Sequence, residues 1–187
     1  MELGPVEWIT AGAVGEPGER TFFLQARAGG RLLTFLVEKE QVELLAAGVL
    51  EILARVGKET GTGPAEEELE LQAPLEPEWR VGRLAIGYAE DRDLMLLELE
   101  ELRPEDEEAE EDEGEGLLEA EGREGPEGPE PARVRLWATR EQMLALSRHG
   151  AAVAARGRPR CQYCGNPMDP EGHTCPAMNG HGRPSGR

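Results

Sequence analysis

The chain has 187 residues, 39% apolar and only 4% aromatic, and its 38 Asp plus Glu against 20 Lys plus Arg give a formal net charge of −18. That balance excludes a general phosphate-binding surface, which needs clustered cations, and no apolar run approaches the ~20 residues that span a bilayer. The opening residues, Met1-Glu2-Leu3-Gly4-Pro5, lack the basic flank and apolar stretch of a secretion signal, so a cytoplasmic protein is expected.

Residues 7–14, 20–28 and 31–38 are short runs rich in β-branched and aromatic residues and read as strands. Gly15-Glu16-Pro17-Gly18 reverses the chain between the first two, and Gly29-Gly30 has the form of a two-residue hairpin loop. Leu33, Phe35 and Val37 share one face of the third strand, and Leu32, Thr34 and Leu36 share the other. Two largely apolar faces predict a central strand covered on both sides.

A helix is predicted over 39–56, where Val42, Leu45, Val49, Ile52 and Val56 form one apolar stripe and Gly57 stands at the C-cap position. Residues 61–64 read as a linker and 65–77 as an acidic connector. Strands over 79–88, 93–101 and 132–138 and a helix over 140–155 then repeat the plan. Glu40-Gln41-Val42 matches Glu141-Gln142-Met143, and Leu45 matches Leu146, at an offset of 101 residues, while Thr139 and Gln142 have the spacing of a capping box. The expected fold is α+β: two βββα units from an internal duplication, forming antiparallel sheet with two helices packed on it, followed by a zinc-knuckle-like tail. The division is a body over 1–157 and a tail over 158–187.

The second unit is interrupted by residues 104–131, which hold 14 acidic residues, one Arg (Arg123) and repeated Gly and Pro. Self-repulsion and scant apolar surface predict a disordered loop there.

The only three cysteines, Cys161, Cys164 and Cys175, lie close together near the C-terminus. An odd, clustered count is a poor disulfide framework and suits metal ligation by thiolates in a reducing compartment. With His173 they spell C-x2-C-x8-H-x-C, four sulfur and nitrogen donors of the kind that hold tetrahedral zinc, and His181 is a substitute for His173. Four protein donors leave no open position, which predicts one structural rather than catalytic Zn2+ per chain. The tail is also basic. Arg156, Arg158, Arg160, Arg183 and Arg187 face only Asp169 and Glu171 over residues 154–187, a net of +3 that leaves −21 elsewhere.

Several segments resemble an uncharacterised bacterial family catalogued as domain of unknown function 3090. They are residues 15–26 (GEPGERTFFLQA), Glu38-Lys39-Glu40-Gln41-Val42 and Trp79-Arg80-Val81-Gly82. The ending also resembles it, from Gly157-Arg158-Pro159-Arg160-Cys161 through Asp169-Pro170-Glu171-Gly172-His173 to Asn179-Gly180. The resemblance covers nearly the whole chain except the acidic insertion. It implies a cytoplasmic bacterial protein with this layout and supplies no mechanism.

No Walker-type loop, G-x-S-x-G elbow or H-E-x-x-H motif is present. His149, near the end of the second helix, reads as solvated or dipole-stabilised. The expected function is therefore a non-catalytic binding or adaptor protein that docks a protein partner through the zinc-ordered tail, with no membrane association. One alternative is an enzyme or small-ligand protein using a cleft between the two units, with Arg20, Gln25, Glu38 and Arg80 as contacts. The other is nucleic-acid binding through the basic tail alone.

Overall fold

The structure is a computed structural model that describes residues 1–103, 130–157, 161–166, 168, 173, 175 and 176. His181, Arg158, Arg160, Arg183, Arg187 and the acidic insertion, apart from Glu130 and Pro131, lie outside the described residues. The elements in order are β1 (Glu2–Leu3), β2 (Trp8–Val14), β3 (Thr21–Ala28), β4 (Arg31–Val37), α1 (Lys39–Val56), a 3-10 turn (Glu66–Leu69), β5 (Val81–Ala89), β6 (Leu94–Glu101), β7 (Arg133–Ala138) and α2 (Arg140–Ala155).

Alternation along the strands decides which faces turn inward. Met95, Leu97 and Leu99 of β6 and Val134, Leu136 and Ala138 of β7 are buried. On the outer face Glu98 lies opposite Arg135 and Glu100 opposite Arg133. Both pairs close as ion pairs, at 2.6 and 3.1 Å, and at such exposure each contributes only ~0–1 kcal/mol.

The strands form two sheets, a division that the sequence leaves open, in the orders β2-β3-β4 and β1-β7-β6-β5. Strands β2 to β7 pair antiparallel as expected, but β1, a two-residue strand outside the predicted set, pairs with β7 in parallel, which corrects the expectation of antiparallel sheet throughout. The chain crosses between the sheets at both seams. Along one, Glu78 N donates to Thr34 O at 2.8 Å and Leu36 N to Trp79 O at 3.1 Å, just before β5 begins. Along the other, Val6 N donates to Trp137 O at 2.7 Å and Glu7 N to Arg27 O at 2.8 Å, just before β2. A further correction follows for β4, which is an edge of its sheet, while β3 is central. Residues 78–80 run along that edge and the Trp79 ring packs 4.7 Å from Phe35, while on the other face Leu32 and Leu36 are half-buried and Thr34 is buried against Gln25.

Both helices occupy the predicted residues. Gly57 ends α1 at φ 66°, a left-handed conformation that costs glycine no side-chain clash, and its N–H reaches Leu53 O at 3.1 Å. At the helix starts Gln41 Oε1 accepts from Glu38 N and Gln142 Oε1 from Thr139 N, each at 2.9 Å. The other end of each amide reaches a seam: Gln41 Nε2 donates to Val81 O and Gln142 Nε2 to Val6 O, both at 3.0 Å. The helices pack on each other, with Ser147 Oγ donating to Ala46 O at 2.8 Å. One hydrophobic cluster takes residues from both sheets and both helices, among them Leu24, Phe35, Leu45, Leu97, Leu136 and Leu146.

The acidic connector is structured. Its 3-10 turn buries Leu69, whose carbonyl accepts from Thr10 Oγ1. Three residues further on, Gln25 holds Gln72 from both sides, donating Nε2 to its carbonyl and accepting its N–H, each at 2.8 Å. At the opposite end of β5, Lys58, Tyr88 and Arg140 converge on Asp93 and hold its carboxyl well below the usual carboxylate range, the Tyr88 hydroxyl being the largest influence.

Phe35→Ala is expected to cost about 3–5 kcal/mol, since it empties the shared core, whereas Leu44→Ala, at a position 72% exposed, is expected to stay within about 0.5 kcal/mol. Urea denaturation of the two variants checks the contrast.

Candidate functional site

Beyond α2 the chain has little apolar surface, and its sulfurs come together instead. A tight turn carries the first two. Gly165 N donates to Cys161 O at 2.8 Å, and Cys161 N to Asn166 O at 2.8 Å. Gly165 takes φ 74°, a conformation that residues with a Cβ adopt at a cost. Cys161 Sγ lies 3.8 Å from Cys175 Sγ, and Cys164 Sγ lies 3.6 Å from His173 Nε2. One ligand atom from each of the four falls within 4.8 Å of the others.

Those separations test the fit to a metal. A tetrahedral ion with metal–sulfur bonds of about 2.3 Å and metal–nitrogen bonds of about 2.0 Å has ligand edges of about 3.8 Å between two sulfurs and about 3.5 Å between sulfur and nitrogen. The cluster matches both edges. It can hold a metal ion, and among the described residues it is the only group of three or more His, Cys, Asp and Glu side chains drawn close enough to do so. The Tyr163 and Cys164 amides lower the Cys161 thiol to about 6, whereas burial pushes the Cys164 thiol up. Cys161 and Cys175 are each 3% exposed, Cys164 and His173 are partly exposed, and Tyr163 at the tip of the turn is 56% exposed.

The family model described as a protein of unknown function (DUF3090) matches residues 1–175, which takes in both sheets, both helices and all four donors. The chain belongs to this family. No curated protein and no solved structure matches it. Among the described residues, no helix is long and apolar enough to cross a membrane.

The other four sequence-predicted contacts are engaged within the fold. Arg20 donates to the C-terminal carbonyls of α2, Val153 O at 2.8 Å and Ala154 O at 3.4 Å, and stacks over Phe22. Gln25 is buried beneath the connector, bonded to Thr34 and Gln72. Glu38 and Arg80 form an ion pair at the start of α1, with both side chains about half exposed.

Sequence reasoning missed a cleft of about 470 Å³ between the end of β2, the residues around the 3-10 turn, and the last turns of α2. Glu66, Glu67, Glu70, His149 and Arg156 supply its polar lining, and a second cleft of about 220 Å³ shares Glu66 and His149. Of the two settings expected for His149, solvated or dipole-stabilised, the first is corrected: the connector folds over that side of α2, half-buries the ring and leaves Nδ1 buried without a partner. No periodicity in the sequence signals this, because the covering segment has no apolar pattern of its own. Burial lowers the His149 pKa from its ordinary 6.5, the Glu66 carboxylate opposes the shift and Arg156 adds to it.

The unfolded chain then protonates His149 more readily than the folded one, so this residue subtracts stability as pH falls from about 6.5 through its lowered value. An NMR titration of the ring is expected to give a midpoint below 6.5, and Glu66→Gln is expected to lower it further.

Proposed function

We propose that the protein is a non-catalytic binding or adaptor protein whose tail is ordered by one structural zinc ion, held by Cys161, Cys164, His173 and Cys175, and docks a protein partner. The observation that carries this reading is the pair of ligand edges, 3.8 Å between sulfurs and 3.6 Å between sulfur and imidazole nitrogen. Three thiolates and one imidazole suit zinc, and four protein donors leave no position for water or substrate. Binding energies of about 10–16 kcal/mol for such sites in small peptides are ample to order a segment that lacks a core. The exposed Tyr163 and the net charge of +3 that the sequence gives residues 154–187 supply chemistry that suits an acidic protein face.

The two β-β-β-α runs are read as copies of one unit. An offset of 101 relates Gln41 to Gln142, which carry the same cap and the same reach to a seam, and the Ala46–Ser147 hydrogen bond joins positions with that same separation.

A second reading rests on the cleft walled by His149, which lies between a strand of the first run and the helix of the second. There the protein would bind a small polar ligand, with His149 and Arg156 as contacts in place of the four residues expected from sequence.

Protein purified under reducing conditions is expected to carry about one zinc per chain, measured by metal analysis. The Cys161→Ala, Cys175→Ala double variant is expected to carry none while keeping its far-UV circular dichroism. A pull-down with full-length protein and with a chain truncated before Cys161 is expected to recover the partner only with the former. A metabolite screen by thermal shift separates the second reading. A ligand at 100 times its Kd stabilises by about 2.7 kcal/mol, and His149→Ala is expected to abolish any shift that arises in the cleft.

A further inference from the structure

The four donors of the candidate centre are unequally shielded. Cys161 and Cys175 are each 3% exposed, whereas Cys164 is partly exposed, on the turn that presents Tyr163 to solvent. Thiolates are the reactive form of cysteine, and a bound cation keeps every sulfur ligand in that form whatever its free-thiol pKa, so solvent access selects among them. Resting on the zinc reading above, we infer that Cys164 is an oxidation site through which hydrogen peroxide releases the metal and unlocks the tail.

The Cys164 sulfur attacks one peroxide oxygen; the O–O bond breaks, giving a sulfenic acid and hydroxide, and the zinc–sulfur bond is lost. The Cys161 thiolate then attacks the Cys164 sulfur, forming the S–S bond and expelling a second hydroxide. Two thiolates lose two electrons, peroxide gains them, the two hydroxides take solvent protons to become water, and zinc leaves as Zn2+. Cys161 is the resolving partner because its turn is closed by the Gly165 N to Cys161 O hydrogen bond, independently of any metal. The approach of Cys175 must instead close a far longer loop, at greater entropic cost. Partner docking through the tail thereby becomes sensitive to peroxide.

The test uses full-length protein, with zinc content measured before oxidation and release followed with a chromogenic chelator as peroxide is added. Cys164→His and Cys175→His each keep four nitrogen or sulfur donors. Wild type and Cys175→His are expected to lose their zinc, and Cys164→His to retain it through the same exposure. Peptide mapping of oxidised wild type is expected to give a Cys161–Cys164 bridge, and this decides the matter if Cys164→His binds no zinc. A wild-type protein without zinc overturns the structural-zinc reading and this inference with it. Zinc present but lost equally from Cys164→His, or a Cys161–Cys175 bridge in the wild type, overturns this inference alone.

Discussion

Gln41 and Gln142 each use both ends of one amide at a junction of the fold. The carbonyl oxygen accepts an amide proton at the helix start, and the NH2 group donates to a backbone carbonyl where the chain enters the opposite sheet. A helix start left without partners exposes its first amides, so capping is needed in any case. Here the same side chain also fixes where the chain passes between sheets. Both crossings bring inward-facing strand residues and the apolar stripes of two helices to a single core. The helix–helix contact through Ser147 and Ala46 completes the arrangement.

The tail obeys a different constraint. With no apolar stripe and several prolines and glycines it cannot offset its ordering entropy by burial, and its described residues gather around sulfur and imidazole instead. The Tyr163 and Cys164 amides directed at Cys161 stabilise a thiolate there, which is the form a cation binds. The same turn that supplies two donors also exposes Tyr163 and leaves Cys164 within reach of solvent. The proposed metal binding, partner docking and oxidation site all draw on the same few residues, whereas the cleft walled by His149 is a separate feature built by the connector.

Legibility followed the range of the interactions. The bounds of both helices, the Gly57 cap and the Thr139–Gln142 box could be read from sequence because each depends on residues within one or two turns of one another. Strands β2 to β7 were placed to within a residue or two, whereas the two-residue β1 was not predicted. That Cys161, Cys164, His173 and Cys175 gather into one cluster able to hold a metal ion was readable because ligand chemistry permits few residue types. The structured connector was not readable: Leu69 is its single fully buried side chain, and most of its other anchors are backbone groups held by Trp8, Thr10 and Gln25. Hydrogen bonds to backbone carbonyls leave no trace in composition, and so the half-burial of His149 beneath that segment left none either.

The sequence by itself determined the class of fold, the helices and their caps, the acidic character of the body, and a set of donors suited to one metal ion. Only the tertiary structure decided that the strands divide into two sheets, that β4 is an edge closed by residues 78–80, that β1 joins β7 in parallel, and that Arg20, Gln25, Glu38 and Arg80 are taken up in internal contacts. The physical reason is that periodicity and capping report the environment of neighbours along the chain. Strand order and the partners of a polar side chain are set by segments tens of residues away, whose meeting depends on the whole core closing at once.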